Sequence, residues 1–229
     1  PRRLRTPDGS VRIAVVAAQA LLLAGDDVRI DVVVDGPHRV DIIETGGTVA
    51  YDMRGGRATW STDLTLRNGA DVTWHAEPFV ISNGAYVDRT TTADVEADCR
   101  LTLREVLVFG RTGETGGTLR TSTRLSQDGR SVVAEDLDLA RSSRESSAIL
   151  NGRRSLDTIT TLGHRLHDGF GVLQSDGDAS ISRWMGDELH LSDQAEIWAR
   201  SFHGRPVRAG AQNHGLLPGS ARPDVSAEN

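Results

Sequence analysis

A side-chain period of two runs through the first 140 residues of the chain. Val28, Ile30, Val32 and Val34 alternate with Arg29 and Asp31. Trp60, Thr62, Leu64 and Leu66 share a face opposite Ser61, Asp63 and Arg67, and Val72 and Trp74 alternate with Asp71 and Thr73. Val95, Ala97, Cys99, Leu101, Leu103, Leu107 and Phe109 all fall on odd positions. This is the period of a strand with one face against a core. Turn signals cut the runs into short pieces: Asp35-Gly36-Pro37, Arg54-Gly55-Gly56, Asn68-Gly69, Asn83-Gly84, Gly116-Gly117 and Asp128-Gly129. Short strands and frequent turns predict an all-β fold: a sandwich, a barrel or a solenoid. No strict sequence repeat chooses among the three.

Beyond residue 140 the character changes. Residues 141–155 are rich in Ser and Arg and read as a mobile loop, and residues 156–173 carry no decisive period. Ser192 is a plausible N-cap with Asp193 in the first turn, and Ala195, Trp198, Ala199 and Phe202 then fall at helical spacing. A helix is expected over about 193–203 on that spacing. From residue 204 the chain is Gly, Pro and polar residues without an apolar face. The expected organisation is a single β domain over residues 1–203 and an irregular tail over 204–229.

Composition narrows the function classes. The formal charge is -6, from 26 basic and 32 acidic residues, which argues against a general nucleic-acid binder. Every basic residue is arginine; there is no lysine. One cysteine, Cys99, excludes an internal disulfide and suits a reducing compartment. The apolar stretch over residues 11–24 is broken by Arg12 and Gln19 and is too short to span a bilayer. A cytoplasmic protein is expected.

The usual catalytic signatures are missing. The stretch Gly110-Arg111-Thr112-Gly113-Glu114-Thr115-Gly116-Gly117 follows a strand, but it lacks the Walker pattern and a helix behind it, which a phosphate cradle needs. His164 and His167 are three apart with Asp168 beside them; two imidazoles and a carboxylate could take a metal, but a solvated polar segment is the simpler reading. No Gly-x-Ser-x-Gly occurs, and Cys99 lies in phase with apolar neighbours as an inert core thiol. No catalytic residue is assigned, and the expectation is a chain that is not an enzyme.

Three carboxylates stand out because they sit on apolar strand faces. Asp26 continues the even series Val28, Ile30, Val32; Glu105 lies within Leu101, Leu103, Leu107, Phe109; Glu135 lies within Val133, Leu137, Leu139. An ionised carboxylate facing a core must be paired, protonated, hydrated or turned outward by a bulge. Separate buried ion pairs and a shared polar passage are both open on this count.

Several of these segments, taken in order, resemble the urease accessory protein UreD (UreH) family. Gly25-Asp26 resembles its Gly-Gly-Asp segment, and Thr45-Gly46-Gly47-Thr48-Val49-Ala50-Tyr51 its small-residue segment ending in Tyr. The segments ending in Trp74 and in Gly84-Ala85 follow in order, as does Glu105 with Gly110-Arg111, then Gly113-Glu114, and finally Glu135-Asp136-Leu137-Asp138-Leu139. The resemblance runs from residue 24 to residue 140. It departs at Ala24-Gly25, where the family has paired glycines, and at His75-Ala76-Glu77-Pro78, where it has Leu-Pro-Gln. The C-terminal third matches only at Ser182-Arg183-Trp184-Met185-Gly186.

What the resemblance implies is a β-helical, solenoid-like stack of short strands with one or two short helices near the C-terminus. It implies a scaffold in urease maturation that binds the accessory proteins UreF and UreG and apo-urease. It also implies a water-filled path for nickel(II) in transit, with no stably bound cofactor. Asp26, Thr48, Glu105 and Glu135 are the residues at its tunnel-lining positions; Gly110, Arg111, Gly113, Glu114, Tyr51 and Trp74 match its structural motifs. Two other readings remain: a β-solenoid carbohydrate-active enzyme using two of the acids, and a structural β domain whose inward acids are each bridged to arginine.

Overall fold

The computed structural model describes residues 1–4, 6, 10–17, 22–167, 169 and 171–202. The body is a strand stack wound from two facing sheets. One rung runs β3 (Asp27–Asp35), then β4 (Arg39–Glu44) and β5 (Thr48–Ala50) in the opposite sheet, after the N-terminal β1 (Arg2–Leu4) and β2 (Val11–Val15). The next is β6 (Ala58–Arg67), β7 (Asp71–His75) and β8 (Phe79–Ile81); the third is β9 (Tyr86–Val95) and the long β10 (Arg100–Phe109). Equivalent strands of successive rungs pair in parallel: β3 with β6, β6 with β9, β4 with β7, β5 with β8. β10 continues both columns, pairing with β7 through one half and β8 through the other. This is the solenoid-like architecture, and its repeat lies in the winding rather than in the residues.

The stack is closed at one end by antiparallel strands. β11 (Thr118–Gln127) still pairs parallel to β9, but β12 (Arg130–Asp138) folds straight back on it. Asp128 and Gly129 make that hairpin with φ of 48° and 71°, the two left-handed residues a tight primed turn requires. In the other sheet β13 (Ser155–Leu162) pairs antiparallel with β10, β15 (Ala179–Gly186) with β13, and β14 (Val172–Gln174) with β15.

Residues 141–155 are ordered, contrary to the loop expectation. They begin with α1 (Arg141–Arg144) and continue as hydrogen-bonded turns: Ile149 and Asn151 both donate to Ser146, and Gly152 to Arg144. The cause is Arg144, which is buried beneath them. Its guanidinium donates to the carbonyls of Gly117 (2.7 Å), Leu139 (2.7 Å) and Thr115 (2.8 Å) and lies 4.0 Å over the Phe109 ring. Burial draws its pKa down to about 10. The second helix, α2 (Gln194–Phe202), matches the expected one. Ser192 sits just before it, accepting from the Gln194 N–H (3.2 Å). Residues 203–229, the expected tail, lie outside the described residues. Among the described residues no helix is long and apolar enough to cross a membrane.

Between the sheets lie two apolar clusters. One gathers Leu64, Leu66, Val72, Leu101 and Leu125; the other gathers Trp60, Phe79, Val87, Leu107, Phe109 and Leu119. A fully buried Leu or Val contributes about 1.5–3 kcal/mol relative to exposure, so these clusters supply the drive to close the sheets. Ile30 packs against both, and polar residues gather beside it where the clusters meet.

Candidate functional site

Registration across the rungs stacks the polar residues into a layer. In the β12-side sheet, Thr62, Thr91 and Thr123 are direct neighbours on β6, β9 and β11, and Glu135 sits opposite Thr123 on β12. In the facing sheet Glu105 sits opposite Thr158, and Thr158 opposite Arg183. A cavity of about 60 Å³ lies between them, lined by these residues with Glu44, Arg89 and Arg104 and walled by Trp60, Trp74 and Leu125. A site needs roughly 10–15 Å³ per water, so it is large enough to be wet.

Glu105 and Glu135 both face this cavity, so the alternation predicted their direction. Each is held by an arginine. Arg89 Nη2 lies 2.9 Å from Glu105, and Arg183 forks onto Glu135 at 2.9 and 2.8 Å. Asp26 does not line the cavity. It precedes β3 in the turn after Ala24-Gly25, and its carboxylate accepts the Leu23 N–H at 2.8 Å. The even series of β3 therefore does not extend back to it. Thr48 also stands apart, half-buried at the start of β5, with its N–H donating to the Pro78 carbonyl at 3.1 Å.

Glu44 is the acid that reading the sequence missed. It ends the series Val40, Ile42, Glu44 on β4, the same in-phase signal that marked Glu105. It stands where the chain leaves β4 for β5, and it accepts the Trp74 Nε1–H (3.2 Å) and the Glu77 N–H (3.1 Å). Trp74 is thus a structural residue whose polar edge anchors Glu44. Burial pushes the Glu44 carboxyl above its usual range, against an opposing pull from Arg89. Among the described residues no arginine forms an ion pair with it.

A third ion pair flanks the cavity. Asp157 is fully buried and takes Arg104 at 3.1 and 2.8 Å, with the Ser192 hydroxyl at 2.7 Å. Arg104 also donates to His75 Nε2 (2.7 Å), whose ring meets Trp198 of α2 edge-on at 5.1 Å. Burial and the Arg104 charge lower the His75 pKa.

The Gly-rich segment is elsewhere and structural in geometry. Gly110 has φ +80°, and a Cβ there would meet the Glu114 carbonyl at 2.6 Å. Glu114 accepts from the Arg111 backbone (3.0 Å) and side chain (2.6 Å) and from the Asn83 N–H (3.2 Å); Asn83 in turn accepts from Gly116 (2.9 Å). Gly113, at φ +81°, supplies the left-handed step inside this turn. Tyr51 is near enough to bear on the Arg111 charge, and its N–H donates to Leu22. The motif binds two rungs together.

Remaining candidates are placed as follows. His164 contacts Thr102 Oγ1 and the Leu162 carbonyl, each at 3.2 Å, and His167 is exposed; Asp168 lies outside the described residues. Cys99 is buried, and burial raises its pKa. Its Sγ falls with Glu96 and Asp98 in a group whose ligand atoms lie within 4.8 Å of one another, away from the cavity. Glu96 is already engaged by the Asn68 N–H and Arg67.

Residues 2–208 match the family described as UreD urease accessory protein. The chain belongs to the UreD family. Among curated UreD proteins, Urease accessory protein UreD 1 of Streptomyces griseus is 43% identical over 166 residues, covering 72% of this chain and 65% of that protein. UreD 2 of Saccharopolyspora erythraea is 33% identical over 58% of this chain and 48% of its own length. UreD of a Methylobacterium strain is 32% identical over 81% and 73%. The chain thus spans less than two thirds of the first of these relatives. UreD proteins are accessory proteins, not enzymes.

Proposed function

We propose that the chain is a non-catalytic scaffold of urease maturation. It binds UreF, UreG and apo-urease, and offers nickel(II) a hydrated path past Glu105 and Glu135. The observation that carries the reading is the polar layer, where three glutamates and three arginines share one cavity between two apolar clusters. Buried ion pairs stabilise a fold no better than apolar packing of similar volume, so such a layer is poorly explained by stability alone.

Nickel accepts carboxylate, imidazole and water. Acids already balanced by arginine form no closed set of strong ligands, so an ion in the cavity would be passed on rather than trapped. Asp26 and Thr48 belong to a path only where it continues outside this cavity.

The test is co-expression with the urease genes and the partner proteins. Glu105→Gln, Glu135→Gln and the double variant keep side-chain shape and remove charge. Complex assembly should persist while urease nickel content falls, most in the double variant. Full nickel content in a stably assembled double variant would sink the path reading.

A further inference from the structure

The arginines of the polar layer are not used up by their carboxylates. Arg89 is nine-tenths buried, its side chain 10% exposed, yet its Nε and Nη1 have no hydrogen-bond partner among the described residues. Arg183 spends both terminal nitrogens on Glu135, which leaves its buried Nε in the same state. Both line the one cavity. Buried guanidinium N–H groups require an acceptor, and among the described residues the glutamates of the lining make no hydrogen bond to these three nitrogens.

The rest of the lining is donor-rich too. Thr62, Thr91 and Thr123 form a hydroxyl ladder on one wall, and Thr158 and Thr160 stand on the other. Glu44, the acid without an arginine partner, has both oxygens occupied by the Trp74 and Glu77 donors. Burial raises its pKa against the pull of Arg89, so its negative charge is held there at a cost.

We propose that this cavity binds a small oxyanion on Arg89 and Arg183, with the threonine ladder as neutral donors. Guanidinium recognises planar oxyanions through charge-assisted hydrogen bonds, which selects the size and shape of nitrate, formate or bicarbonate. The proposal does not rest on the nickel reading, because binding is measured on this chain alone. It has one consequence for that reading: an anion held there makes the passage more negative and more favourable to a divalent cation.

The probe is sodium nitrate, titrated into the full chain at constant ionic strength with sodium perchlorate as the bulky comparator. Binding is followed by calorimetry and by the thermal midpoint. The wild type should show saturable nitrate binding. Thr91→Val, which keeps shape and removes one donor, should weaken it about tenfold, as loss of a hydrogen bond to a charged group does. Arg89→Gln should abolish it. Glu44→Gln removes a competing negative charge and should tighten it at neutral pH. Absence of saturable binding in the wild type shows that water alone satisfies the donors and overturns the proposal. Equal nitrate affinity in wild type and Thr91→Val places the ion elsewhere and overturns it too, even where Arg89→Gln fails to fold.

Discussion

Two arginine–glutamate arrangements in this molecule use the same chemistry in opposite surroundings. In the polar layer, Arg89–Glu105 and Arg183–Glu135 each join one sheet to the other, and all four residues line one cavity. At the Gly110 turn, Arg111–Glu114 lies at the surface, where the Arg111 side chain is 57% exposed. The outer pair is local, three residues apart in sequence, and it orders a tight turn against Asn83. The inner pairs join residues 16 and 48 apart in number, Glu105 with Arg89 and Glu135 with Arg183. An outer ion pair is screened by water and gives shape to a loop. An inner one must offset desolvation before it contributes anything, so its persistence calls for a reason beyond stability.

Asp157→Asn should give the largest effect, because that pair is the driest. Asp157 is fully buried and Arg104 is 11% exposed. The variant leaves the Arg104 guanidinium without its buried counter-charge, for a destabilisation of about 3–5 kcal/mol in chemical denaturation. A loss below about 1 kcal/mol would mean that Arg104 reaches water, and would erase the distinction between inner and outer pairs. Glu105→Gln should lie between the extremes, at about 1–2 kcal/mol, because its carboxylate is 30% exposed towards a cavity with room for water. A loss as large as that of Asp157→Asn would make Glu105 a structural ion-pair residue and remove the support for a passage.

The same contrast governs what could be read from the residues. Glu105 and Glu135 were legible because strand alternation fixes direction wherever a strand is regular. Glu44 obeyed the same rule but sat at the last position of its run, next to Thr45-Gly46-Gly47, where a turn was the stronger signal. Asp26 failed for the converse reason: the alternation was carried one residue beyond the start of β3 at Asp27, into a turn. The arginines were not legible. Arg89 is in phase with Val87 and Ala93 but is embedded in a run of threonines. Arg183 pairs with a glutamate whose strand is separated from its own by two others and a helix. Residues 141–155 misled because serine and arginine usually mark a solvated loop, and it takes the carbonyls of Gly117 and Thr115, distant in sequence, together with the nearby Leu139 carbonyl, to make Arg144 a core residue. The winding itself left no residue repeat to find, since each rung needs only the period and a turn.

The smallest effects separate the two environments most cleanly, by their sign with pH. Arg111 and the two backbone donors hold the Glu114 carboxyl near 2, below its ordinary 4.5. A depressed acid stabilises the fold above its unfolded pKa and loses that contribution as pH falls through the folded one. Wild type should therefore exceed Glu114→Gln in stability at neutral pH, and the gap should close between pH 4.5 and about 2. Glu44 runs the other way. Burial raises its pKa, so its contribution is full below the ordinary glutamate range and is lost as pH rises through the raised value. The gap between wild type and Glu44→Gln should thus narrow or reverse on going from acid to neutral pH. Taking each variant against wild type across the same pH series cancels the other carboxylates. If both gaps moved in the same direction, Glu44 would be as well solvated as Glu114, and the polar layer would be an open surface rather than an interior one.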